Sequence, residues 1–213
     1  MRPILKLFYY SLVARFYDLA MQKVERLCLS RWRMELLSEV DGEVLEVGAG
    51  TGVNLQYYSQ NISRLVLCEP DAAMRKQLEL KLQNSARSSA EISSCAAERL
   101  NVADNSIDCL VSTLVLCSVT DPQQSFKEAF RVLKPGGKLI LMEHVAAERS
   151  SRLYFWQQLW QPLWRRAACN CHLTRQTGRF LERVGFILYT RAEVMSGGPS
   201  IASPMIVGHA IRP

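Results

Sequence analysis

Residues 44–52 read Val-Leu-Glu-Val-Gly-Ala-Gly-Thr-Gly, an apolar run that passes into a glycine-rich turn. Three alternate glycines, Gly48, Gly50 and Gly52, let backbone N–H groups approach a ligand closely because no Cβ stands in the way. A dinucleotide fingerprint wants glycine at the sixth place of G-x-G-x-x-G, and Val53 occupies it here. Glu46, two residues before the turn, adds negative charge where a pyrophosphate would lie. It suits a ligand carrying an ammonium or a sulfonium, and S-adenosylmethionine carries both. Glu69, followed by Pro70, closes the next apolar run, where a carboxylate can accept hydrogen bonds from both ribose hydroxyls. That position would serve a nicotinamide dinucleotide as well.

The elements that must hold these residues follow from periodicity. Apolar runs at 43–47, 64–68, 91–95, 107–116 and 138–145 predict strands, alternating with helical patterns at 54–60, 71–84 and 123–133. Strand-then-helix alternation predicts a parallel sheet with helices on both faces. Beyond it lie an aromatic segment at 154–164, a helix at 174–184 and two closing strands at 186–194 and 205–211, in the pattern of a hairpin on the sheet edge. Near-helical spacing over residues 4–38 predicts one or two amphipathic helices, ended by Asp41 and Gly42. The expectation is an α/β, doubly wound, mostly parallel seven-stranded Rossmann-like sheet. An N-terminal helical extension over 1–40 would precede the main domain at 41–213.

Composition excludes other classes. The chain has 213 residues, 48% hydrophobic and 22% charged, with 26 basic against 20 acidic side chains. That is an ordinary globular make-up, long enough for one well-buried core. No run approaches the roughly 20 apolar residues of a bilayer span. The first residues alternate basic, aromatic and aliphatic types without a signal-peptide pattern, so an unprocessed, cytoplasmic chain is expected. Seven cysteines, at 28, 68, 95, 109, 117, 169 and 171, suit buried reduced thiols more than a disulfide framework. Cys169, Cys171 and His172 have no second pair to complete a structural zinc site, and no metal is expected. Lys and Arg are dispersed, which argues against nucleic acid. Mild attraction to an acidic membrane surface is expected near Arg2, Lys6 and Arg15 and near Arg165 and Arg166.

With Glu46 to Gly52, Glu69-Pro70, Asn105 to Asp108 and Lys134 to Gly137 in this order, residues 40–145 resemble the class I S-adenosylmethionine-dependent methyltransferases, type 11 group. The resemblance implies that Gly48, Gly50 and Gly52 face the methionine part of the donor. It implies that Glu46 meets the ammonium through water or directly, Glu69 the ribose, and Ala97 and Glu98 the adenine edge, with Asn54, Pro70 and Thr113 also at the cofactor. Many relatives carry an acidic residue where Ala96 falls, and Glu98 is the substitute. Residues 114–119, 143–145 and 170–175 resemble more narrowly the methyltransferase-like family 7 proteins, thiol S-methyltransferases of membranes and lipid droplets. Their apolar membrane anchor has no counterpart in the charged amphipathic start of this sequence.

Methyl transfer from a sulfonium is an in-line displacement, to which positioning contributes most. A thiol, with its reference pKa near 8.5, needs no strong base. His144, near the end of the fifth strand, is the candidate acid or base, although strand alternation lets only one of Glu143 and His144 face the cleft. Tyr10, Tyr17, Trp156 and Trp160 are the candidate acceptor-pocket residues; the spacing of 156, 160 and 164 equally fits a stripe packed on the core. The expected reaction is methyl transfer to a small hydrophobic acceptor, foremost a thiol. The alternative is a phospholipid or quinone-precursor acceptor at a membrane surface.

Overall fold

The computed structural model describes residue 14 and residues 16–213. Seven strands, β1 (Gly42–Val47), β2 (Ile62–Cys68), β3 (Glu91–Ser93), β4 (Ile107–Thr113), β5 (Leu133–His144), β6 (Ile187–Val194) and β7 (Pro204–Ile211), form one sheet. Their order is β3-β2-β1-β4-β5-β7-β6. The first five pair in parallel, and β7 joins antiparallel to both β5 and β6. The order reverses between β1 and β4, which opens a crevice at their carboxyl ends. Glu46, Glu69, Thr113 and His144 all lie at or next to those ends.

Alternation along the strands loads both faces of the sheet. Leu45, Leu110, Leu139 and Leu141 pack with Phe126, Ala129 and Leu181 on one side, from helices α3 (Pro122–Val132) and α5 (Thr177–Val184). Val44, Val111 and Ile140 pack on the other with Leu37 of α1 (Ser30–Leu37) and with Leu78 and Leu82 of α2 (Ala72–Gln83). Asp71 caps α2 by accepting from the Ala73 and Met74 amides, and Asp121 caps α3 by accepting from the Gln124 amide. Residues 16–24 are helical and run through a single π turn, Glu25–Leu29, into α1. Trp32, Leu29 and Cys28 anchor that extension against Met142, Met205 and Val207 of the sheet.

Four expectations need correction. The helix expected at 54–60 is only a 3-10 turn, Val53–Gln56; Asn54 and Tyr58 turn inward to bond Glu46, which stops a regular helix from propagating. The fifth strand starts at Leu133, not 138, because Gly136 and Gly137 are drawn into the edge by hydrogen bonds with Arg212. Cys68 and Cys95 form a disulfide with Cα atoms 5.4 Å apart. Pairing of Cys68 with Ser93 on β3 brings Cys95, two residues on, within reach; the other five cysteines are free. The aromatic segment is helix α4 (Arg152–Ala167), and of Trp156, Trp160 and Trp164 the last alone packs inward, in line with the polar Gln157 and Gln161.

Candidate active site

At the end of β1 the Glu46 side chain is buried, and both its oxygens are engaged. Oε1 accepts from Asn54 Nδ2 at 2.8 Å and Oε2 from the Tyr58 hydroxyl at 2.7 Å. Burial pushes the Glu46 carboxyl above its ordinary range, and the same burial beside this carboxylate pushes the Tyr58 phenol well up. Asn54 Nδ2 also donates to Thr113 Oγ1 at 3.0 Å. Arg33, from α1, completes the cluster: its Nη1 donates to Asn54 Oδ1 at 2.6 Å and to Thr113 Oγ1 at 2.9 Å. Its Nε and Nη2 hold Glu25.

The glycine turn lies above this floor. Gly48 has φ 60°, and a Cβ there would collide with Val115. At Gly50, φ 58°, a Cβ would meet only the Gly48 carbonyl, at 3.9 Å, among the described residues, so the backbone there leaves room for a ligand. The Gly50 amide donates to Glu69 Oε2 at 2.9 Å, and the Asp71 amide donates to Glu69 Oε1 at 2.8 Å. Glu69 thus spans the turn and the start of α2, with one further lone pair on each oxygen for a ligand hydroxyl. Burial raises its pKa against those two amides. Pro70 sits exposed beside it, its carbonyl accepting from Arg75. Thr51 donates to Asp18 of the N-terminal helix at 2.6 Å, and Lys81 of α2 bonds the same carboxylate.

Ala97 is buried on the far rim. Glu98 Oε1 accepts from the Thr120 and Asp121 amides at 2.8 and 3.2 Å, so one of its oxygens fastens the turn before α3. The chain between β4 and α3 is gripped from two sides. From below, buried Glu143 accepts from Ser112 Oγ at 2.7 Å and from the Val115, Leu116 and Cys117 amides at 3.0 Å. From above, Arg175 donates to the Leu116 and Val119 carbonyls at 2.6 and 3.1 Å, and Asn170 Nδ2 to the Ser118 carbonyl at 2.7 Å. Leu114, at φ 63°, makes the turn into this segment.

Glu143 faces that segment, and its neighbour His144 faces a cavity of about 600 Å³. The cavity is walled by Tyr17, Met21, Leu114, Cys117, Trp164 and Met195 among others. Among the described residues that line it there is no Asp, Glu, Lys or Arg. His144 is hydrogen-bonded to the Ala202 backbone, and its Nδ1 is buried without a hydrogen-bond partner among the described residues. Burial pulls its pKa down to about 4, so the imidazole is neutral at physiological pH. Burial pushes the Tyr17 phenol up to about 12, the Arg33 charge partly opposing it. Cys117 and Cys171 Sγ atoms lie 3.7 Å apart at the cavity wall.

Trp156 and Trp160 are not in this cavity. Both lie on the outer face of α4, 45% and 46% exposed, with Phe155, Leu159 and Leu163. The inward stripe is Gln157, Gln161 and Trp164: Gln157 donates to the Val145 and Ile201 carbonyls and accepts from the Ala147 amide. A hydrophobic period points to the wrong face when the buried contact is side chain to loop backbone. Tyr10 lies outside the described residues. Arg33, Tyr58, Glu143 and Arg175 were missed as site residues by sequence reasoning. Their signal was faint: isolated polar residues inside apolar periods.

Comparison with known proteins extends the geometry. A family described as "Methyltransferase domain" matches residues 45–141. The chain is 37% identical over 172 residues to the human protein "Thiol S-methyltransferase TMT1A", covering 79% of this chain and 70% of the relative. It is 33% identical over 195 residues to the rat "Thiol S-methyltransferase TMT1B", covering 87% and 78%. The Enterobacter "Ubiquinone/menaquinone biosynthesis C-methyltransferase UbiE" is 34% identical over 104 residues, 47% of this chain and 41% of that protein. A solved methyltransferase from Bacillus halodurans superposes with a TM-score of 0.69 at 16% identity, covering 87% of this chain and 99% of the other.

Proposed function

The chain belongs to the S-adenosylmethionine-dependent methyltransferases, in the family that includes the thiol S-methyltransferases TMT1A and TMT1B, and we propose that it methylates the sulfur of a small apolar thiol. The observation that carries the acceptor is the cavity at His144, whose described lining has no charged side chain and whose imidazole has its pKa near 4. Such a base is too weak to take a proton from an alcohol or an ammonium. A thiol ionises on its own near neutrality.

The bare backbone at Gly50 and the two free lone pairs of Glu69 fit the donor. Bound S-adenosylmethionine supplies an electrophilic methyl group on a sulfonium. On this reading Gly48, Gly50 and Gly52 line the methionine arm, Glu46 with Asn54 and Thr113 forms its floor, Glu69 with Pro70 holds the ribose, and Ala97 with Glu98 borders the adenine. The acceptor reacts as its thiolate, its proton already lost to solvent before it enters the cavity, and the neutral His144 beside it takes no proton in the step. Tyr17 and Trp164 exclude water from the acceptor side.

On this reading residues 41–213 make up the methyltransferase domain, and of the extension at 1–40 the part from residue 16 walls the acceptor side. Among the described residues no helix is long and apolar enough to cross a membrane. Peripheral contact with an acidic membrane is supported by the outer face of α4, where Phe155, Trp156, Leu159, Trp160 and Leu163 stand exposed one turn from Arg165 and Arg166.

The test is release of S-adenosylhomocysteine from S-adenosylmethionine by the purified protein with a short apolar alkyl thiol and a no-acceptor control. Acceptor-dependent release is expected. Donor binding without release would transfer the assignment to phospholipid or quinone-like acceptors.

A further inference from the structure

Methyl transfer leaves one feature of the acceptor cavity unused. Cys117, in the segment after β4, and Cys171, in the loop after α4, both line the cavity with their Sγ atoms 3.7 Å apart. Among the described residues no other two free cysteines are in such contact: Cys28 bonds the Val24 carbonyl, and Cys109 is packed in the sheet. The two segments are tied side by side. The His172 amide donates to the Cys117 carbonyl at 2.8 Å, and Asn170 Nδ2 donates to the Ser118 carbonyl at 2.7 Å. A disulfide needs its sulfurs at about 2.05 Å, so closing the gap asks for side-chain movement and not for one loop to be carried to the other.

Their surroundings divide the two parts of a thiol–disulfide exchange. The contact between the thiols holds the Cys171 pKa below its ordinary value against burial, and the Arg175 charge pulls the same way. That contact and burial push Cys117 well up, and the Glu143 charge adds to the rise. Cys171 is the attacking thiolate and Cys117 the resolving thiol.

We propose that Cys117 and Cys171 form a dithiol that reduces the disulfide of the apolar acceptor inside the cavity, and so hands the methyl-transfer site its thiolate. This rests on the thiol reading above and adds a second substrate class, the dialkyl disulfide. Such a molecule has the same apolar chains and no charge, which suits a described lining without charged side chains. The Cys171 thiolate attacks one sulfur, the substrate S–S bond breaks, and the first alkyl thiolate leaves with the electron pair. Cys117 then gives its proton to that thiolate or to solvent, its sulfur attacks Cys171 Sγ, and the second alkyl thiolate leaves. The dialkyl disulfide is reduced by two electrons and the cysteine pair is oxidised by two. A low-molecular-weight thiol in the surroundings restores the pair by further exchange. The acceptor departs already ionised, beside a His144 that takes no proton.

The experiment feeds dibutyl disulfide and S-adenosylmethionine, without oxygen, to whole protein that has been reduced and then freed of reductant, with butanethiol as the parallel feed. Butyl methyl sulfide is expected from both feeds, and mass mapping should show a peptide joining residues 117 and 171 after the disulfide feed alone. In C171S the ratio of disulfide-fed to thiol-fed product should fall by about tenfold or more, as loss of the attacking thiolate requires. In C117S exchange should stop halfway, with one butylthio group retained on Cys171, a readout that needs no turnover. C169S, which alters the exposed thiol on the same loop, should keep the wild-type ratio. A C171S ratio equal to that of the wild type, a ratio lost in C169S instead, or the absence of the 117–171 link overturns the proposal. Methylated butanethiol without product from the disulfide overturns the proposal alone. Butanethiol left unmethylated by the wild type overturns the thiol reading, and the proposal with it.

Discussion

Thr51 of the glycine turn donates its hydroxyl proton to Asp18 of the N-terminal helix at 2.6 Å, a bond between the donor loop and the segment that walls the acceptor cavity. Lys81 joins the same carboxylate from α2, so three elements meet at one side chain. Asp18 and Lys81 are both nearly half exposed, and solvent screens their ion pair.

Asp18→Asn should therefore leave stability almost unchanged while loosening the extension from the donor loop. The expected readout is a donor dissociation rate faster by about threefold to tenfold, in the range of one weakened charged hydrogen bond. Stopped-flow displacement of a fluorescent donor analogue measures it, with a melting curve as the control.

Glu69→Ala removes the acceptor of the Gly50 and Asp71 amides together with the proposed ribose contacts. The loss should be about 1.5 to 3 kcal/mol, or about 10- to 150-fold in donor Kd. A calorimetric Kd within a factor of two of the parent would remove Glu69 from the ribose site.

For His144 the sign of the pH dependence is fixed by the depressed pKa. The unfolded imidazole takes up a proton near pH 6.5 and the folded one only near pH 4. Stability from this group is full above pH 6.5 and falls as the pH drops to about 4, by up to about 3 kcal/mol. His172 is shifted the same way, so the comparison of wild type with His144→Gln by urea titration at pH 7, 5.5 and 4.5 isolates His144. In turnover, kcat/KM should rise with the ionisation of the acceptor, shifting between two thiols of different pKa, with no inflection from an enzyme imidazole at pH 6 to 7.

Trp156→Ser combined with Trp160→Ser should leave turnover of a short, water-soluble thiol unchanged, because both rings lie outside the cavity. Flotation with acidic liposomes should fall in the double variant. Wild-type protein that stays wholly in the soluble fraction would end the membrane reading.

The sheet, its mostly parallel pairing and the glycine turn were legible because each rests on local chemistry: β-rich apolar runs, alternate glycines, and acidic residues at two strand ends. The helix after β1 was overextended because Asn54 and Tyr58 obey Glu46, a partner that no periodicity displays. Trp156 and Trp160 lie outside the cavity for the complementary reason: Gln157 buries its amide among backbone groups of two segments, residues 145–147 and the turn at Ile201, and the aromatic face is left to the outside. Arg33 was invisible since its meaning lies in contacts to residues 21 and 80 positions away.

The helix that carries Asp18 also contributes Tyr17, Met21 and Val24 to the acceptor cavity. The described wall of that cavity therefore depends on that helix resting on the glycine turn. On the proposed reading the donor is expected to add before the acceptor, and the demethylated donor to leave after the methylated product. Steady-state kinetics should follow: S-adenosylhomocysteine competes with the donor and is noncompetitive toward the thiol, and a dead-end thiol analogue traps the enzyme only after the donor has entered.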